Sequence, residues 1–175
     1  MTAKIPALEF SRPFAVDRVG AAPLTETINA TPAEREALAR RLKLRALNAL
    51  SAVLRLERLP GGLVHVAGRL EAEVVQTCVV TLVDFPSHVE DGFDVDFGDA
   101  PAEFGEEISL DPDYDPPEPI EGGAIDLGEL TAQYLSLALD PYPRAPGATL
   151  DAALADPDAD SRSPFSVLKK LKKPS

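Results

Sequence analysis

The sequence predicts an α+β fold: a bent antiparallel sheet, or a partial β-barrel, packed by one long amphipathic helix, with a second helix nearer the N-terminus. Three observations carry this. Segments 50–57, 63–74 and 85–97 each alternate apolar and polar residues at the period of a strand. Residues 126–140 place leucines at helical spacing. At 175 residues the chain is long enough to bury a core of its own. An isolated hairpin would be marginal, so three long strands call for closure or a covering layer.

Residues 4–19 read as an opening strand broken by Pro6 and Pro13, because proline is confined to strand edges and bulges. Thr31, Pro32 and Glu34 then form a helix start: an N-cap, a first-position proline and a capping-box acid. The helix is expected over 32–45, with Ala37, Leu38 and Leu42 as its apolar stripe. Arg40, Arg41, Lys43 and Arg45 give it a basic end, which complements the helix dipole. Next, Leu50, Ala52, Leu54 and Leu56 alternate with Ser51, Arg55 and Glu57, and residues 60–62 make a turn. The return strand puts Val64, Val66, Gly68, Leu70, Ala72 and Val74 on one face and His65, Arg69, Glu71 and Glu73 on the other. A third strand sets Val89, Phe93, Val95 and Phe97 against His88, Glu90, Asp94 and Asp96.

Residues 98–125 are rich in Pro, Gly and acid and read as an acidic loop, with at most a short strand around Ile108 and Leu110. Asp126 and Glu129 start the long helix. Leu127, Leu130, Tyr134 and Leu137 mark its buried face, Leu135 and Leu139 widen it, and Pro141 ends it. The expected organisation is one domain over 1–144, a linker over 145–163 and a basic amphipathic tail over 164–175. That tail sets Phe165, Leu168 and Leu171 on one side among lysines, and alone it is too short for a stable helix.

Composition narrows the function classes. Trp is absent and aromatics are only 6%, so the core is built from Leu, Val and Ala. No apolar run reaches the length of a membrane span, and the first residues lack the pattern of a signal peptide. One cysteine excludes an internal disulfide framework, and a cytoplasmic location is expected. The chain carries 17 Lys and Arg against 29 Asp and Glu, a net charge of −12. Residues 70–143 hold 19 of those acids and no Lys or Arg. An acidic middle with basic flanks is either solvated surface or a pair of contact surfaces, the middle for a basic protein and the flanks for RNA phosphate. The candidate contacts are Arg40, Arg41, Lys43 and Arg45, and in the tail Lys169, Lys170, Lys172 and Lys173 with Phe165 and Leu168 as apolar anchors.

No phosphate-cradling or dinucleotide glycine motif is present, so no cofactor and no small-molecule ligand are expected. His65 and His88 are the only histidines, each on the polar face of its strand. Asp111, Asp113 and Asp115 are spaced like the start of a calcium loop but lack its glycine, and Gly122 stands where its last carboxylate belongs. The single cysteine, Cys78 in "EVVQTCVVTL", has three readings: a metal ligand, a reactive thiol or a small buried residue. A structural zinc site needs about four ligands, and Thr81 stands where a Cys-x-x-Cys would complete a pair. No base or basic residue is adjacent to lower the thiol pKa. Packing at a strand end is the expected role, with no metal bound.

Three stretches together resemble the YceD family, the large ribosomal RNA subunit accumulation proteins. They are "AEVVQTCVVTLVDFPSHVEDGFDVDF" at 72–97, "EGGAIDLGELTAQYLSLALDPYP" at 121–143 and "SPFSVLKKLKKPS" at the end. The likeness runs from about residue 46 onward. It implies a cytoplasmic bacterial factor in ribosome biogenesis, without an established enzymatic activity, acting through large-subunit (23S) rRNA or a basic ribosomal protein. The family often carries a Cys-x-x-Cys and further cysteines after the helix, whereas here Thr81 holds the second position and no cysteine follows. Any metal of the family is therefore expected to be lost, with Cys78 the surviving position. Two other classes stay open. An rRNA-processing, nuclease-like enzyme would need His65, His88 and acids around one cleft. An interaction protein would dock its tail on its own body.

Overall fold

The computed structural model describes residues 8–98 and 116–149. It opens with β1 (Pro13–Ala15), a 3-10 turn at Val16–Arg18 and β2 (Leu24–Asn29). Then come α1 (Pro32–Arg41), β3 (Ala46–Arg58), β4 (Val64–Thr77) and β5 (Asp84–Gly98). β6 (Glu118–Pro119) and β7 (Ala124–Asp126) lead into α2 (Leu127–Ala138). β2, β3, β4 and β5 follow one another as an antiparallel meander, and β6 joins β5 in parallel. β1 and β7 form a separate antiparallel pair. Among the described residues the five-stranded sheet stays open, so the fold is α+β without a closed barrel.

The alternation read from sequence sets the sheet's two faces. Leu50, Ala52, Leu54 and Leu56 of β3 are buried, as are Val64, Val66, Leu70, Ala72 and Val74 of β4. Phe93 and Phe97 bring β5 into the same core, and Phe93 stacks on Tyr134 of α2 with ring centroids 4.1 Å apart. Gly68 lies beneath that ring, and a Cβ there would come within 2.3 Å of it, so the strand keeps a glycine where helix and sheet meet. α2 buries Leu127, Leu130, Thr131, Ala132 and Leu135. Leu137 departs from the expected face: it is 76% exposed, since α2 turns toward the sheet the stripe that ends at Leu135.

Asp126 joins the small sheet to α2. As N-cap its carboxylate accepts from the N–H groups of Gly128 and Glu129, both at 3.0 Å. The same carboxylate accepts from the Arg12 N–H at 2.8 Å and from the Ser11 hydroxyl. Leu127 N–H donates to the Arg12 carbonyl at 3.1 Å. The N-terminal segment runs so close to the helix that a Cβ on Gly128 would sit 2.5 Å from the Phe10 carbonyl oxygen.

Several boundaries differ from the sequence reading. Pro13 opens a strand of three residues, which the Val16–Arg18 turn ends. β2 lies in a stretch without a clear apolar run, where Ile28 is the one buried residue. α1 stops at Arg41, because Leu42 caps it and Lys43 turns left-handed with φ 56°. β6 and β7 fall inside the segment read as an acidic loop. The Ile108–Leu110 stretch, the aspartates at 111–115 and the 164–175 tail lie outside the described residues.

The start of α1 follows its capping box closely. The Glu34 carboxylate accepts from the Thr31 N–H at 2.7 Å and holds Arg12 in a two-pronged ion pair at 2.7 and 2.9 Å. The Arg12 bonds hold the Glu34 carboxyl down at about 2, against an ordinary value of 4.5. A depressed carboxyl stabilises the fold fully above its unfolded pKa, and that stabilisation is lost as pH falls through the folded value. Between pH 4.5 and about 2 the wild type is therefore expected to lose about 1–2 kcal/mol more than Glu34→Gln, allowing for solvent screening at this partly exposed pair. Urea melts of both at a series of pH values check this, and parallel losses would refute it.

Candidate functional site

The cations at the end of α1 do not form one free patch. Arg40 donates to Glu36 one helical turn back at 3.0 Å, and both side chains are exposed. Arg41 forks onto Glu129 of α2 at 2.7 and 2.8 Å and reaches Glu9 at 3.2 Å. The bond to Glu129 raises the Arg41 pKa, and the same bond lowers that of Glu129. Arg45 donates to Asp84 at 2.8 Å. The Thr77 hydroxyl, then Arg45, hold the Asp84 carboxyl below the usual range. Lys43 alone of the four is exposed and without an ion-pair partner among the described residues. Phe165, Leu168, Lys169, Lys170, Lys172 and Lys173 lie outside the described residues.

The outer face of β4 and β5 has the opposite character. Strand pairing lines up His65 with Asp96, Ala67 with Asp94, Glu71 with Glu90, Glu73 with His88 and Thr77 with Asp84. Six carboxylates thus share this face, and Arg69 is the one Lys or Arg of the two strands on it. Arg69 is bonded to Glu90. Glu71 and Asp94 make no ion pair among the described residues. Like charges opposite one another cost stability in a sheet, so Glu71 facing Glu90 brings the fold no benefit.

His65 Nδ1 lies 2.7 Å from Asp96, and His88 Nδ1 lies 2.8 Å from Glu73. Each is a cross-strand pair, but His65 and Glu73 are eight residues apart on one strand, a distance of roughly 26 Å. The two histidines therefore do not gather at one cleft, the arrangement a nuclease-like reading needs.

The turn after β4 is built around Cys78. The thiol is fully buried. Cys78 N–H donates to the Val83 carbonyl and Leu82 N–H to the Cys78 carbonyl, both at 2.9 Å. The Thr81 N–H reaches the sulfur at 3.4 Å. Val79 N–H donates to the Pro143 carbonyl at 2.9 Å, which docks the chain leaving α2 against the turn. The Thr81 hydroxyl and the Ala145 N–H outweigh burial and, with the N–H groups of Thr81 and Val80, hold the thiol at about 7. Cys78 is buried at the strand end, and peptide N–H groups and a hydroxyl surround its thiol in place of a neighbouring base. Zinc requires a full set of thiolate or imidazole ligands. Here one thiol stands with a threonine, and no group of three or more His, Cys, Asp or Glu is placed for a metal among the described residues. These residues do not fit a zinc site.

A cleft of about 430 Å³ opens between the ends of α1 and α2 and the base of this turn, lined in part by Lys43, Gln76, Leu139, Asp140 and Pro143. No helix among the described residues is long and apolar enough to cross a membrane.

Residues 66–172 match the model of a family described as large ribosomal RNA subunit accumulation protein YceD. The chain belongs to the YceD family. No curated protein and no solved structure matches it. The YceD match begins at Val66, later than the likeness from residue 46 suggested, and spans β4 through α2 and on into the tail. It therefore covers the acidic face, the Cys78 turn and the Asp126 cap, while α1 with Arg40 and Arg41 precedes it. Membership gives the chain a role in accumulation of large-subunit rRNA, and YceD is described by that role rather than by a reaction.

Proposed function

We propose that the chain is a non-enzymatic ribosome-biogenesis factor that supports accumulation and processing of large-subunit (23S) rRNA by holding a basic ribosomal protein on the outer face of β4 and β5. The observation that carries this is the charge of that face, six carboxylates against Arg69 on Glu90 and Arg45, reaching in from outside the two strands, on Asp84. Such a surface steers a basic partner and raises its rate of encounter, an effect that salt weakens. The reading places the protein in the cytoplasm.

The competing mode is direct contact with rRNA phosphate through Arg40, Arg41, Lys43, Arg45 and the tail lysines, anchored by Phe165 and Leu168. Arg40, Arg41 and Arg45 already face carboxylates of this chain, which favours the acidic face.

Crosslinking in cells followed by capture of the tagged chain tests the choice, because it reports protein and RNA together. A basic ribosomal protein is expected, and Glu71→Lys with Asp94→Lys is expected to cut its recovery at least about tenfold. Neither residue makes an ion pair among the described residues, so circular dichroism should show the variant folded. Recovery of rRNA without such a protein, or undiminished capture by the variant, overturns the proposal.

A further inference from the structure

The Cys78 turn breaks two rules of its own position. Turns between strands favour Gly, Asn, Asp and Ser, whose side chains suit water and tight backbone. This one reads Val79, Val80, Thr81, Leu82 and Val83. Leu82 is held in the left-handed region at φ 59°, where a branched residue is strained. Its side chain is 77% exposed, with Val83 at 60%, Val79 at 45% and neighbouring Tyr142 at 71%. The backbone beneath them is tightly hydrogen-bonded, and the Tyr142 N–H is fixed by Asp140 at 2.8 Å. Strain plus a cluster of exposed apolar side chains on a fixed backbone brings the isolated fold no gain, and such a patch marks a contact surface.

The structure assigns this tip as the docking site of the chain's own C-terminal tail, residues 164–175. The inference goes beyond the proposed function; the tail would share Asp84, Glu73 and Glu71 with a basic partner of the acidic face, so its test is run on the chain alone. Three observations select the occupant. The chain passes the tip on its way out: Pro143 and Ala145 bond the Cys78 turn, a turn closes from Ala148 N–H to the Ala145 carbonyl, and the described chain ends at Thr149. Fourteen residues separate that point from Pro164. A coil of that many residues spans roughly 20 Å, a reach that keeps the tail near the tip at an effective concentration in the millimolar range. The tail also matches the site in chemistry. Phe165, Leu168 and Leu171 supply an apolar side, and its lysines meet the acids that run back from the tip, Asp84, Glu73 and Glu71.

Amide hydrogen exchange on the full chain tests this. In the wild type the amides of 165–171 are expected to exchange at least about tenfold more slowly than in the same segment as a free peptide. Leu82→Asp should abolish that protection while leaving β3 and β4 protected, because aspartate tolerates the left-handed region better than leucine. Phe165→Ser is the matching variant on the tail and should have the same effect. Wild-type tail amides at free-peptide rates overturn the proposal. So does protection that survives both variants, or protection that appears only as protein concentration rises, the sign of a second copy.

Discussion

Replacing Asp126 with alanine is expected to destabilise the protein by about 2–4 kcal/mol, because its carboxylate accepts four hydrogen bonds. Loss of an ordinary N-cap costs about 1 kcal/mol. Asp126 does more, because its carboxylate also accepts from the Arg12 N–H and the Ser11 hydroxyl of the strand entering the fold. Removing it leaves the first N–H groups of α2 without a partner and unfastens β1 from β7. The Arg12 N–H also loses its acceptor, leaving the three-residue β1–β7 pairing to the Leu127–Arg12 and Val16–Gly123 bonds and to buried Phe10 and Phe14. Asp126→Asn keeps the oxygen that accepts from Gly128 and Glu129 and should recover more than half of the loss. Urea melts of the three proteins measure this. A loss below about 1 kcal/mol in the alanine variant would show that the cap acts alone and that the N-terminal strand is held by other contacts.

The long strands and both helix starts were legible in the sequence because each is written in local terms. Alternation at period two fixes the faces of β3, β4 and β5, and Thr31 with Glu34 and Asp126 announce their helices a few residues ahead. What was not legible depends on residues distant in the chain. β2 has a weak pattern and exists because it pairs with β3, Thr25 to Arg55 and Ile28 to Ala52. Leu137 fits the helical stripe, yet the direction from which the sheet approaches α2 leaves it in water. The Cys78 thiol is tuned by Ala145, which sequence places far from it. The acidic face was half visible: the charges were plain, but only strand pairing shows which of them share one side.

The basic end of α1 gives the second large expectation. Read as sequence, Arg40, Arg41, Lys43 and Arg45 are four equivalent cations suited to phosphate. The structure separates them, and Arg41→Ala with Lys43→Ala tests the separation. Arg41→Ala is expected to cost about 1–2 kcal/mol. Breaking a fully buried pair costs about 3–5 kcal/mol because one charge is left without a partner, and partial exposure here lowers that figure. Glu129 is the charge that would be stranded, with its side chain 15% exposed against 35% for Arg41. Glu9 would lose a partner too, so α1, α2 and the N-terminal segment would all lose a shared fastening. Lys43→Ala is expected to change stability by less than about 0.5 kcal/mol, as for a surface residue without a partner. A cycle combining Arg41→Ala with Glu129→Gln should return a coupling of at least about 1 kcal/mol. If instead Arg41→Ala leaves stability unchanged and lowers the recovery of crosslinked rRNA, Arg41 is a phosphate contact and the acidic face loses its main advantage as the partner surface. The pair of melts shows whether Arg41 fastens the fold while Lys43 does not, and the crosslinking of the same variants shows whether either touches RNA.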